Sequence, residues 1–313
     1  MQYYGLEIMN KGENGMEKLG FIGLGIMGMP MARHLCEAGN EVWVNDVNSA
    51  ACEAAQKFGA RPAPVEEIGA ACDVVFMILP NGGIVQQVLF ESGLTRQMKP
   101  GALVVDMSSV TPEESRLCAQ KLAQKQVHFL DAPVSGGEPG AVAGTLAFMA
   151  GGDPQAFERA KPYFDIMGSS ALRVGSVGSG SVTKLANQIM VNLNIAAVSE
   201  ALVLAAKAGA DPALVYQAIR GGLAGSHVLD AKAPMMMRRD FRPGGKISIN
   251  HKDIKNVMAS AHSLDVPLPL TALLFEIMQA LKADGHMDED HSAIVKFFEK
   301  LAGVTVKSGE VTG

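Results

Sequence analysis

Over the first half of the chain, short apolar runs alternate with stretches of helical periodicity. "KLGFIGLG" (18–25) reads as a buried strand entering a glycine turn, and "IMGMPMARHLCEAG" (26–39) has apolar residues at helical spacing up to Gly39, a helix stop. "EVWVND" (41–46) predicts a second strand and "SAACEAAQKFGA" a second helix. Further strands are expected at 72–80, 101–109, 127–137, 145–152 and 171–178. Strands separated by helices predict a parallel sheet covered on both faces. Beyond residue 178 only helical spacing remains, at 180–208, 211–221, 226–237, 250–264, 268–284 and 288–302. The expected fold class is therefore α/β: an N-terminal doubly wound, Rossmann-type domain followed by an all-helical C-terminal domain.

The expected division is an extension over 1–15, a dinucleotide-binding domain over 16–177, and a helical domain over 178–313 for substrate and oligomer contacts. "MQYYGLEIMNKGENG" is neither basic nor continuously apolar, unlike a signal peptide. No stretch of roughly 20 residues is free of polar groups, so no membrane span and no membrane partner are expected. The helix at 180–208 is apolar on more than one face, which asks for burial within the domain or between subunits; a homodimer or homotetramer is expected.

Composition narrows the function classes. The 313 residues are 48% hydrophobic with 34 glycines and a net charge of −5, as in a globular α/β chain. No basic stripe is present, which argues against nucleic acid. Cys36, Cys52, Cys72 and Cys118 form no C-x-x-C pair, so reduced thiols, a cytoplasmic location and no metal site are expected.

"GLGIMG" places Gly23, Gly25 and Gly28 in G-x-G-x-x-G spacing between a predicted strand and a predicted helix. The first glycine allows the turn, the second lets backbone approach a pyrophosphate, and the third lets helix and strand pack closely. Backbone from Gly23 through Leu24, Gly25, Ile26 and Met27 to Gly28 is the expected cradle at a positive helix end. Asp46 closes the second strand, eighteen residues after Gly28, where a carboxylate accepts from ribose hydroxyls and repels a 2′-phosphate. Val47 follows, with no arginine, so NAD is favoured over NADP. Leu79, Pro80, Ser108 and Ser109 lie at successive strand ends, where ligands of doubly wound sheets bind.

Five motifs occur in order: "GFIGLGIMGMPMA", "DAPVSGG" (131–137), "GTLAFMAGG" (144–152), "GSGSVTKLANQ" (178–188) and "NHKDIKNV" (250–257). From about Met16 onward the chain resembles the β-hydroxyacid dehydrogenases, which are similar to 3-hydroxyisobutyrate and 6-phosphogluconate dehydrogenases. The resemblance implies that Lys184 is the catalytic general acid/base and that Ser135, Gly136 and Gly137 hold a substrate carboxylate. It also implies that Leu79, Pro80 and Ser109 touch the cofactor and that Lys252 lies near the nicotinamide. Many family members carry Asn four residues after the lysine. Here Gln188 stands there with Asn187 beside it, and neighbours on a helix lie about 100° apart. Gln188 shares the face of Lys184 and ranks first for substrate contact, Asn187 second.

The stretch 214–236, with "KLANQ" and "DHSA" (290–293), narrows the implied reaction to reversible NAD(P)H-dependent reduction of tartronate semialdehyde to D-glycerate, a step of glyoxylate metabolism. Family alternatives are 3-hydroxyisobutyrate, 2-(hydroxymethyl)glutarate and succinic semialdehyde chemistry. A non-catalytic dinucleotide-binding module is the alternative of another class. The expected partner is thus a small semialdehyde or hydroxyacid bearing a carboxylate. In the chemistry, the cofactor supplies a hydride, a lysine ammonium a proton, and the bare amides of "VSGG" a carboxylate seat. His251 and His291 read as structural or surface residues.

Overall fold

The computed structural model describes residues 17–307; the expected extension over 1–15 lies outside them. The first half runs β1 (Leu19–Ile22), α1 (Gly28–Glu37), β2 (Val42–Asn45), α2 (Ser49–Gln56), β3 (Arg61–Pro62), α3 (Val65–Ala71), β4 (Val74–Met77), α4 (Gly82–Phe90) and α5 (Leu94–Gln97). It continues through β5 (Leu103–Asp106), α6 (Pro112–Ala123), β6 (His128–Asp131), β7 (Val134–Ser135), α7 (Gly137–Ala143), β8 (Leu146–Gly152), α8 (Pro154–Met167) and β9 (Gly168–Gly175). The sheet order is β3-β2-β1-β4-β5-β6-β8-β7, with β9 on β8.

β1 to β6 are parallel. β1, β4 and β5 are buried at every position, because helices cover both faces. Phe21, Phe76 and Val105 face one apolar layer; Ile22, Val75 and Val104 face the other. The sheet crosses over between β1 and β4, the switch point at which doubly wound sheets bind ligands.

The far edge departs from the expected all-parallel sheet. β8 runs antiparallel to β6 and β7. The predicted strand 127–137 is two strands, broken at Ala132-Pro133, where proline has no N–H for the ladder. All four cysteines are free thiols, and burial pushes Cys72 and Cys118 up to about 12, which makes them poor nucleophiles.

The second half is helical: α9 (Ser179–Lys207), α10 (Pro212–Ile219), α11 (His227–Arg238), α12 (Ile247–Ser263), α13 (Pro269–Ala283), a 3₁₀ turn (His291–Ile294) and α14 (Val295–Ala302). α9 is long and apolar enough to cross a membrane by length and composition alone. Here it is the core helix: α10 to α14 all pack on it. Two of its buried polar groups bond to its own backbone, Asn192 Nδ2 to Gln188 O and Ser199 Oγ to Ile195 O. Such local bonds let polar residues enter a core helix at small cost.

α9 starts on the sheet. Gly178, at φ +91°, turns the chain in a conformation that costs other residues energy. Asp131 at the end of β6 then accepts from Gly178 N at 2.8 Å and Ser181 N at 2.7 Å. A carboxylate at a helix N-terminus satisfies orphan donors and suits the helix dipole. A side chain on Gly180 would strike the carbonyls of Asp131 and Met149, so the helix start touches the sheet backbone. Burial pushes Asp131 up to about 6 against the pull of these N–H donors.

Candidate active site

The glycine turn has the geometry its spacing predicts. Gly23 takes φ +99°, and a Cβ there would strike the carbonyl of Ile78. A Cβ on Gly28 would collide with the carbonyl of Gly23, whereas Gly25 has no neighbour within 4 Å on that side. α1 opens with no side-chain cap, leaving its first N–H groups to a ligand. Open space over an uncapped helix start fits a dinucleotide pyrophosphate, with Leu24, Ile26 and Met27 between the glycines. Asp46 follows β2; its Oδ2 accepts from Leu24 N at 2.6 Å and its Oδ1 from Asn48 N at 2.8 Å. The carboxylate therefore also ties the glycine turn to the next strand end. Val47 beside it is fully exposed.

The ends of β4 and β5 are joined to each other and to the helical domain. Leu79 N donates to Ser108 Oγ at 2.8 Å. From α12, Lys252 Nζ donates to the carbonyls of Ser109 at 2.7 Å and Pro80 at 3.2 Å. Leu79, Pro80, Ser109 and Lys252, the positions expected to touch the cofactor, thus form one cluster.

Lys184 sits in the second turn of α9 and donates from Nζ to Val134 O at 2.8 Å. Val134 directly precedes Ser135, so the ammonium adjoins the segment read as the carboxylate seat. Gly136 and Gly137 take φ +134° and +60°, turning β7 into α7, which has no side-chain cap. Burial pushes the Lys184 pKa down; the nearby Asp253 carboxylate opposes this and Lys252 adds to it.

The two amides divide. Gln188 is buried; its Nε2 donates to Asp253 Oδ2 at 2.6 Å and Asn250 Oδ1 at 3.3 Å. Its Oε1 accepts from Asn187 Nδ2 at 3.1 Å. Both ends of Gln188 are therefore engaged by protein groups, while Asn187 Oδ1 has no bond of this kind. Helical phase ranks Gln188 first for substrate contact; by partners, Gln188 is tied to Asp253 and Asn250, and Asn187 has the freer group.

Asp253 is the residue that reading the sequence missed. It is 2% exposed, accepts from Ser109 Oγ at 2.8 Å, and pairs with Lys252 at 3.0 Å. It joins the cofactor-contact cluster to Gln188 and, by charge, to Lys184. Its signal was present: the acid lies next to Lys252 in "NHKDIKNV". Asp106, at the end of β5, is fully buried with Oδ2 unpartnered, and burial pushes it up to about 7. No group of three or more metal-ligating side chains occurs among the described residues.

A glycine turn with dinucleotide-cradle geometry and a half-buried lysine beside Ser135-Gly136-Gly137 are features of a nicotinamide-dependent oxidoreductase. Residues 18–178 match the NAD-binding domain of 6-phosphogluconate dehydrogenase, and residues 178–298 match the second domain model, described as NAD-binding of NADP-dependent 3-hydroxyisobutyrate dehydrogenase. The chain is 44% identical to Escherichia coli 2-hydroxy-3-oxopropionate reductase, over 91% of this chain and 98% of that one. It is 37% identical to 2-(hydroxymethyl)glutarate dehydrogenase of Eubacterium barkeri, over 94% and 98%. Among solved structures, Mycobacterium tuberculosis 3-hydroxyisobutyrate dehydrogenase with L-serine aligns at TM-score 0.85 and 30% identity, covering 90% of this chain and 99% of that one. The chain belongs to the β-hydroxyacid dehydrogenase family.

Proposed function

We propose that the protein reduces tartronate semialdehyde (2-hydroxy-3-oxopropionate) to D-glycerate, reversibly, with NADH preferred over NADPH. The observation that carries the reading is the half-buried Lys184 side chain, with Nζ tied to Val134 O beside Ser135-Gly136-Gly137. The 44% identical relative named 2-hydroxy-3-oxopropionate reductase supports the substrate choice. NADH held over the Gly23–Gly28 turn would supply the hydride for the aldehyde carbon. The chain's residues do the rest. Backbone N–H groups of Gly136 and Gly137 with Ser135 hold the carboxylate. Lys184 Nζ gives its proton to the carbonyl oxygen as that oxygen gains charge, completing the alcohol. Asn187 Oδ1 and Nδ2 orient the substrate's polar end, and Gln188 holds Asp253.

The test is a panel of tartronate, methylmalonate and succinic semialdehydes, each assayed with NADH and NADPH. The largest kcat/KM is expected for tartronate semialdehyde with NADH. A larger value for another semialdehyde moves the enzyme to a sister activity, and tight NADH binding with no turnover makes it a binding module.

Asp46 supports the NADH preference, because a 2′-phosphate would meet its carboxylate. Asp46→Asn keeps an acceptor for Leu24 N and removes the charge. The ratio of kcat/KM for NADPH over NADH is expected to rise about ten- to a hundredfold, the scale of a few kcal/mol of relieved repulsion. An unchanged ratio removes Asp46 from cofactor choice.

The helical half also carries an open apolar stripe. Ala186, Met190, Ala197 and Leu204 are exposed along one side of α9, with Met190 at 70% and Leu204 at 72%. Exposed apolar residues along one side of a core helix fit a second copy of this chain. Light scattering is expected to give a dimer or larger assembly, and Met190→Glu to dissociate it; a monomer at all concentrations refutes the assembly.

A further inference from the structure

α9 has no cap of its own. Gly178 stands at its N-cap without a side chain, and the acceptors come instead from Asp131, 47 residues earlier. A serine or aspartate at the N-cap would satisfy those N–H groups locally and at the surface. The distant carboxylate is fully buried, and taking a charge out of water is costly. What it adds over a local cap is attachment of the helix start to the end of β6.

The chain that follows β6 grips α9 twice. Asp131 holds its backbone through Gly178 N and Ser181 N. Three residues on, Val134 O accepts from Lys184 Nζ at 2.8 Å. Ser181 and Lys184, three positions apart, are neighbours on one side of the helix. The joint has no slack. A Cβ on Gly151 would strike both Asp131 Oδ1 and Gly180 N, and the hydroxyls of Ser115 on α6 and Ser181 lie 2.9 Å apart. Ser135, Gly136 and Gly137 follow Val134 directly. The lysine and the expected carboxylate seat therefore share one stretch of backbone as their reference.

We propose that Asp131 is a positioning residue: by holding the first turn of α9 on the end of β6, it sets the place of Lys184 Nζ relative to Ser135-Gly136-Gly137. The proposal rests on the reading of Lys184 as proton donor. A misplacement of about 1 Å at reacting groups can lower a rate about a hundredfold.

Asp131→Asn keeps the shape but offers one acceptor to two backbone donors, so its NH₂ group faces the N–H of Gly178 or of Ser181. Its kcat, counted per NADH-binding site by titration, is expected to fall roughly ten- to a hundredfold, with KM for the semialdehyde within about threefold. Loss of folded protein alone lowers the number of NADH sites and leaves kcat per site unchanged. Ser115→Ala is the control: it removes the hydroxyl bond at the same joint and should lower thermal stability, with kcat per site within about threefold of wild type. Should Asp131→Asn yield no NADH-binding protein, Asp131→Ser, which keeps a smaller acceptor, takes its place. A near-normal kcat per site, a change confined to KM, or an equal fall in Ser115→Ala overturns the proposal. Loss of NADH sites in both Asp131 variants makes the residue purely structural and overturns it as well. The assay uses whichever semialdehyde the wild type turns over, so a failed substrate reading leaves this test intact. Wild-type turnover by Lys184→Ala would instead remove the lysine reading, and the positioning role with it.

Discussion

Lys184→Ala is expected to lower kcat by about three to four orders of magnitude, the upper part of what one positioned proton donor contributes. NADH binding, followed by its fluorescence, should stay within a few-fold, since the cradle at Gly23, Gly25 and Gly28 lies on other elements. Lys184→Met, which keeps the packing of the stem, should be equally inactive; that separates the ammonium from the volume it fills. The pH dependence carries the sign of the mechanism. Burial and Lys252 hold the ammonium below an ordinary lysine, so it loses its proton at lower pH than a surface one. Reduction needs the ammonium and should fall as pH rises through that pKa. Oxidation of the hydroxyacid needs the neutral amine and should rise over the same range. Turnover by the alanine variant within tenfold of wild type would falsify the lysine mechanism.

The fold was legible where local pattern and global structure agree. The run at 72–80 became β4, and the glycine spacing fell between β1 and α1 as its chemistry requires. The pattern located α9 within a residue at each end, because glycines precede its start and Gly209 follows its end. The mixed sheet edge was not legible. Direction of pairing depends on how the chain returns after Pro133, which the alternation of residues does not encode. The role of Asp131 was hidden for a related reason: its partners, Gly178 and Ser181, lie 47 and 50 residues away. Among the site residues, Lys184 stood out only through the ordered motifs. Gln188 and Asn187 could be ranked by phase but not by partner, because Asp253 and Asn250 lie more than sixty residues away.

Asp253→Asn tests that partner, and its expected effects separate a positioning role from simple structural support. The carboxylate accepts from Gln188 Nε2 and Ser109 Oγ and pairs with Lys252. An amide keeps the shape and loses the charge; with its oxygen toward Gln188 Nε2, its NH₂ group faces the Lys252 ammonium that Asp253 Oδ1 pairs with in the native protein. A buried donor opposite a donor costs about 1–3 kcal/mol. Misplacing the amide face beside the substrate should lower kcat by roughly ten- to a hundredfold. The charge has a separate consequence. Asp253 opposes the downward push of burial on Lys184, so removing it lets the lysine pKa fall further. In the reduction direction, the alkaline fall of the rate should move to lower pH. In oxidation, the rise should begin at lower pH. Asp253→Glu, retaining the charge on a longer stem, should return the pH profile toward wild type even where it does not restore kcat. A lowered kcat with an unshifted profile in Asp253→Asn would leave Asp253 a scaffold between the domains and remove it from the control of the proton.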